Sequence, residues 1–283
     1  MSLVSGAQTR HDAPHGCSWS VRLRILYSNA TGVFALITSS DVDRVRVLWR
    51  SVTRAPDGFL RPGWTLVGAD DHQAAPPGWV GIVELLGSVV ISVPQNLVDR
   101  LRGRLEERSV VEDFTDPRRS IDLFGPVNRV LGPALLFYGQ PVEGSAEHDV
   151  IGPLPVEDSL VVELMARASH DEREESGLEE TTSGVYLAMN SLGVPAAACG
   201  WRTWPHGVAH VSVLCAPVQR HCGFGRAAAQ VALLAALDDG LLPQWRAAET
   251  NEASTALAST MGLQLLGRQL SLQLSQDATM TTP

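Results

Sequence analysis

Cysteine is scarce in this chain. Four residues, Cys17, Cys199, Cys215 and Cys222, are spread over 283 positions, and none forms a C-x-x-C pair. That spacing argues against a zinc site, so no metal is expected. Cys199 and Cys215 fall in apolar stretches, where a reduced thiol behaves as a small hydrophobe. Long apolar runs are missing as well: none approaches the ~20 residues a membrane span requires. Residues 1–20 are polar, with His11, Asp12 and His15, and lack the apolar core of a secretion signal. These absences predict a cytoplasmic protein with a disordered start and no membrane partner. Basic charge is short too. Lys and Arg together number 22 against 31 Asp and Glu, a net charge of −9. Nucleic-acid binding needs a basic surface, so that class of partner is excluded.

What is present suits a globular chain of two domains, or of one domain with a large extension. The composition is 45% hydrophobic, enough for a full core. An N-terminal α/β domain is expected over 21–140 and a linker over 141–156, where Gly144, Gly152 and two prolines cluster. A second domain follows over 157–275, and a disordered tail over 276–283. In the first domain, Val42, Val45 and Trp49 recur at helical spacing within 41–50. A short strand is expected at 65–67. Strands at 80–86 and 88–93 form a hairpin about Gly87, and Pro94 ends the second. A helix over 95–107 aligns Leu97, Leu101 and Leu105. A short helix is expected at 121–131 and a strand at 131–138.

The second domain begins with a helix at 159–168, which aims Leu160, Leu164 and Met165 inward. An acidic run follows: Asp171, Glu172, Glu174, Glu175, Glu179 and Glu180. Strands at 185–190, 195–201 and 208–215 alternate with period two and turn at glycines. A helix at 226–237, a strand at 245–249, a helix at 253–261 and a strand pair at 264–266 and 269–274 complete it.

The segment Arg220-His221-Cys222-Gly223-Phe224-Gly225 joins the third of those strands to the helix. A helix N-terminus offers unpaired N–H groups and a partial positive charge of about 0.5 e. Glycines let the backbone come close to an anion. The R-x-x-G-x-G spacing resembles the pyrophosphate loop of the GNAT superfamily of N-acetyltransferases. Pro217 precedes it at the family's distance, and Val211, Val213 and Cys215 supply the alternating strand. Asn251 follows the next strand, and Gly262-Leu263 follows Asn251 at the family's spacing. The resemblance covers about residues 180–275. It implies a mixed-sheet α/β fold of the GNAT type, with the N-terminal α/β region as an extension. It also implies acetyl-CoA as cosubstrate and an amine as acceptor. By position, the pantetheine arm falls to Val213, Leu214 and Cys215. The pyrophosphate falls to Arg220, His221, Cys222, Gly223, Phe224, Gly225 and Arg226, and Asn251 joins the cofactor set.

The resemblance leaves the proton chemistry open. The family often carries Glu or His on the catalytic face of the strand before the loop. Those positions are Ala209 and Val211 here. His210 is placed on the opposite face with Ser212 and Leu214, as a structural or exposed residue. The family's Tyr acid corresponds to Ala258. Base candidates are therefore Glu179 and Glu180, from the segment over the acceptor side, or Glu249, acting through water. The acidic run reads equally as a solvated face or as an attractor for a cationic amine. Acetyl transfer to an unidentified amine is the expected function. The alternative is a non-catalytic acyl-CoA sensor, and the oligomeric state is not readable. One internal echo remains. Val89 to Pro94 and the helix after it resemble Val211 to Pro217 and its helix, without the glycines. The echo reads as a degenerate GNAT-like repeat or as chance.

Overall fold

The computed structural model describes residues 37–106, 114–142, 144 and 148–275. The expected disordered segments at 1–20 and 276–283, and Cys17, lie outside the described residues. The mixed α/β architecture expected from the sequence is present.

The N-terminal half starts with α1 (Ser39–Thr53). Thr38 and Asp41 close a capping box at its start, and Arg54 in the left-handed conformation ends it. Strands β1 (Gly63–Gly68), β2 (Val80–Leu85) and β3 (Ser88–Val93) follow. Every residue of β3 is buried, because helices cover both faces. A 3₁₀ turn (Gln95–Leu97) leads into α2 (Val98–Glu106), and α3 (Pro117–Phe124) packs beside it. The helix expected at 121–131 is shorter and earlier. Gly125, at φ 100°, and Pro126 break it, and β4 (Val127–Tyr138) begins directly after.

The C-terminal half contains β5 (Val150–Leu154), which lies in the segment expected to be a linker. It continues through α4 (Ser159–Met165) and α5 (His170–Ser176), then a 3₁₀ turn (Leu178–Glu180). The meander is β6 (Val185–Met189), β7 (Pro195–Trp204) and β8 (Val208–Cys215). Then come α6 (Phe224–Asp238), β9 (Leu242–Ala248), α7 (Glu252–Thr260) and β10 (Gln264–Leu274). The expected terminal strand pair is thus one strand, bent by register shifts at Leu265/Gly267 and Gln269/Ser271. Gly267 is required there: a Cβ would collide with the Glu84 carbonyl of β2.

All ten strands join one sheet, in the order β1-β3-β2-β10-β4-β9-β8-β7-β6-β5. β4 belongs by sequence to the first half, yet it pairs with β9 on one edge and β10 on the other. No sheet edge separates the halves. Helices α6 and α7 cover one face of the C-terminal strands through Ala227, Ala228, Ala232, Leu233 and Met261. On the opposite face α1 packs through Leu48 and Trp49 on Tyr138, Val208 and Leu242, and α4 packs beside it through Val161 and Leu164 on Leu187 and Leu214.

Candidate functional site

The site begins where two strands part. β8 and β9 run parallel, but their register covers only Val208–Leu242, Ala209–Pro243 and His210–Gln244. Beyond His210, β8 stays paired to β7 as far as Cys215, while β9 stays paired on its other edge to β4 as far as Ala248. Parallel strands that stop pairing leave a row of backbone groups turned toward the gap. Val213, Leu214 and Cys215, expected to hold the pantetheine arm, lie along that gap.

At the far end of β8 the chain passes a 3₁₀ turn (Pro217–Gln219) and reaches the glycine loop. His221 (φ 62°) and Gly223 (φ 84°) both adopt the left-handed conformation, which bends the backbone into a concave turn. No side chain caps α6, and Arg220, His221, Cys222, Gly223 and Arg226 are exposed. This is an uncapped helix N-terminus behind a concave loop, and it fits an anionic pyrophosphate. The His148 ring stacks on Phe224 at 4.0 Å, and its Nε2 lies 2.7 Å from the Cys222 carbonyl.

Helix α5 crosses over both parts. Ser169 and Glu172 form its capping box, and Glu172 also meets the Arg220 guanidinium. That guanidinium and the Ser169 backbone and hydroxyl hold the Glu172 carboxyl down to about 2. One turn on, Glu175 accepts from Asn251 Nδ2 at 2.7 Å, while Asn251 Oδ1 caps α7 through Ser254 N–H at 3.0 Å. Two residues expected in the cofactor set, Arg220 and Asn251, are therefore tied to the acidic helix.

Behind α5 lies a cleft of about 180 Å³. Glu174, Glu175 and Glu180 line it from α5 and the 3₁₀ turn, and Arg202 and Arg246 from β7 and β9. His210, Val211 and Ser212 form its floor. His210, expected on the face opposite the catalytic one, lines this cleft. Strand alternation does set His210 with Ser212 and Leu214, but that is the face α5 covers: Ser212 Oγ donates to the Gly177 carbonyl at 3.1 Å. Ala209 and Val211 instead pack under α6. The sequence supplied the alternation but not which face the acidic segment would choose.

His210 is held on two sides. Its ring stacks on Trp204 at 4.4 Å, and Trp204 meets the edge of Trp49 at 6.5 Å. Its Nδ1 lies 3.0 Å from Gln244 Oε1; with the amide in this orientation the oxygen accepts from Nδ1–H, and Nε2 keeps its lone pair. Gln244 Nε2 donates to the Tyr138 hydroxyl at 2.6 Å, and Trp49 Nε1 donates to the same oxygen at 2.7 Å. Burial, aided by the Arg246 charge, pushes the His210 imidazole down to about 4, so it is neutral at pH 7. Nothing in the sequence pointed to this network, because Trp49, Tyr138, Gln244 and His210 come from four distant elements.

The three carboxylates proposed from sequence separate. Glu180 lines the cleft and pairs with Arg202 at 3.0 Å. Glu179 points to Arg173 at 3.9 Å and does not line the cleft. Glu249 follows Trp245 and Ala247 on the α6 and α7 face and pairs with Arg268 at 3.2 Å, away from the cleft. Ala258, at the family's Tyr position, is fully buried. Among the described residues no three metal-ligating side chains gather, and no helix is long and apolar enough to cross a membrane.

No protein-family model matches the chain, and no curated protein matches it. Solved structures do. An acetyltransferase from the GNAT family of Colwellia psychrerythraea is 13% identical over 65% of this chain and 75% of its own, with a TM-score of 0.43. A tandem GNAT protein from the clavulanic acid biosynthesis pathway is 14% identical over 84% of this chain and 96% of its own, with a TM-score of 0.41. A GCN5-related N-acetyltransferase-like protein from Streptococcus suis is 14% identical over 82% of this chain and 98% of its own, with a TM-score of 0.39. These solved structures, described as GNAT or GCN5-related proteins, are what this chain is similar to.

Proposed function

We propose that the chain transfers an acetyl group from acetyl-CoA to an amine, with His210 as the general base. The observation that carries this reading is that β8 and β9 part at His210, on the floor of the acidic cleft. The gap and the glycine loop lie on one line, so a substrate anchored by its pyrophosphate on the loop reaches its acyl end toward that fork.

In the reaction the amine nitrogen forms a bond to the thioester carbonyl carbon, and the carbon–sulfur bond breaks. The nitrogen loses its proton to the Nε2 lone pair of His210. The leaving thiolate takes one up, so the products are an amide and a thiol. A neutral imidazole suits this role, because the amine proton becomes acidic only as the new bond forms. The family's Tyr acid is absent, so the imidazolium formed at His210 is the group we assign to return that proton. Glu179 and Glu249 have no part in this reading. Glu180 shapes the cleft and its charge.

The test is release of free coenzyme A thiol from acetyl-CoA against a panel of amines. The chain contains no lysine, so lysine self-acetylation adds no background. Thiol release with at least one amine, reduced ~10²-fold or more by His210→Gln, is the expected result. Tight acetyl-CoA binding with no release from any amine would make the chain a sensor instead.

A further inference from the structure

We propose that the acceptor is an amine bearing a carboxylate, with Arg246 as the residue that pairs with it. The inference rests on the acetyl-transfer reading and deepens it. Arg246 lies on β9 two residues beyond Gln244, on the same face, and its side chain enters the cleft. Other charged groups around the cleft have partners: Glu180 has Arg202, Glu175 has Asn251, and Glu174 is 3.7 Å from His170. Arg246 makes no hydrogen bond or ion pair with a described residue. A guanidinium is a planar fork of donors that fits a carboxylate in two parallel bonds.

The cleft is bipolar. Arg246 lines it together with the carboxylates of Glu174 and Glu180 and the His210 ring. A molecule with an amine at one end and a carboxylate nearby matches that distribution. A polyamine does not, since it would set a cation against Arg246. Size agrees: about 180 Å³ is the volume of roughly six liquid waters. That admits an amino-acid-sized group. The same guanidinium helps to hold His210 neutral, so a bound carboxylate would raise the basicity of the imidazole as the acceptor arrives.

The experiment compares α-amino acids with their own carboxamides, which keep the amine and lose the charge. In wild type the acid should exceed its amide in kcat/KM by about tenfold or more, the size of a charge-assisted pair. Arg246→Gln should erase that preference, lowering kcat/KM on the acid by about tenfold more than on the amide. An equal loss on acid and amide would overturn the proposal, since Arg246 would then act on every acceptor alike. A wild-type preference for the amide, or for di- and polyamines, would overturn it too. Calorimetric titration of the same amino acids into the protein with coenzyme A bound separates the two readings. Amino-acid binding that Arg246→Gln abolishes, without thiol release in any assay, upholds the carboxylate pocket and sinks acetyl transfer. Thiol release from uncharged amines, without amino-acid binding, does the reverse.

Discussion

The two halves of the molecule contain the same unit built to opposite ends. In the first half, the β2–β3 hairpin runs into Pro94, a 3₁₀ turn and helix α2. In the second, the β7–β8 hairpin runs through Pro217, a 3₁₀ turn and helix α6. Each hairpin also has a parallel neighbour. The difference lies in how far that neighbour follows. β1 stays with β3 over six residues, Gly63–Ser88 to Gly68–Val93. β9 stays with β8 over three and then leaves. The closed unit passes straight from its 3₁₀ turn into a helix, whereas the open one inserts Arg220 to Gly223. A closed sheet satisfies its own backbone and presents no groove. The open pair trades ladder hydrogen bonds for a slot that ends at an anion-ready loop. The chain orders also differ, since β9 follows its helix while β1 precedes its hairpin. The echo thus extends to hairpin, proline, turn and helix, and stops there.

The largest test of this contrast removes the group at the fork. His210→Gln keeps a side chain of similar size and should lower kcat by ~10² or more. The pH behaviour follows from the imidazole being held near 4, below its ordinary 6.5. As a base it must be unprotonated, so the His210 limb of kcat/KM should fall as pH drops through about 4, separate from the loss at higher pH that follows protonation of the amine itself. Stability has the opposite bookkeeping from a His stabilised as a cation. The unfolded chain binds a proton below about 6.5 that the folded chain refuses. The His210 contribution is therefore whole above 6.5 and is lost as pH falls toward 4. Urea titrations at pH 7 and pH 4.5 should show a shallower pH dependence in His210→Gln. A kcat within a few-fold of wild type would refute the base assignment.

The next test acts on the loop that only the open unit has. Gly225 has room for a Cβ, with Leu257 nearest at 3.7 Å, so Gly225→Val should fold. Its β-branched side chain would crowd the helix N-terminus, and acetyl-CoA affinity should fall at least tenfold, ~1.4 kcal/mol. The matching change in the closed unit, Asp99→Val at the second residue of α2, should leave that affinity unmoved. Calorimetry on both variants checks the pair. Equal affinities would mean the glycine loop is a plain strand–helix turn.

Much of the open unit was legible because its signals are local. A strand of alternating apolar residues, a proline, two glycines and an alanine-rich helix lie within thirty positions, and their spacing fixes the loop. The hairpins at Gly87, Gly193 and Gly207 were readable for the same reason. The fork was not. Where β9 leaves β8 is set with β4 holding its other edge, a pairing between residues more than a hundred positions apart. Which helix covers the His210 face was unreadable for a related reason: period-two alternation gives two faces but does not say what packs on each. The role of β4 as the strand between β9 and β10 likewise has no signal in its own sequence, which reads only as an apolar strand.

The first half also reaches into the site, and a smaller effect should reveal it. Trp49 Nε1 and Gln244 share the Tyr138 oxygen, and Trp49 backs the ring that stacks on His210. Trp49→Phe keeps an aromatic ring and removes the N–H. Stability should drop by about 1–3 kcal/mol, since a buried hydrogen bond and some packing are lost. If Trp49 acts only on the fold, the pH profile will not move. If it positions His210, kcat should fall several-fold and the acid limb of kcat/KM should climb from about 4 toward 6.5, as the loosened ring regains solvent.

The smallest effect concerns the helix that spans the open pair. Glu172 occupies Arg220, the arginine of the anion loop, and is ionised at any pH above about 2. An incoming pyrophosphate must displace it. Both partners are partly exposed, so their pairing is worth about 0.2–1 kcal/mol. Glu172→Gln should therefore tighten acetyl-CoA binding by no more than about fivefold. The change is clean, because Gln at this position can keep the capping box with Ser169. Added salt should shrink the gap between variant and wild type, because screening weakens the competing ion pair. Weaker binding by the variant would reverse the reading: Glu172 would then aim the Arg220 guanidinium at the phosphates rather than compete with them. Calorimetry at two salt concentrations distinguishes the cases, since a competitor and an aiming group predict opposite signs at low salt.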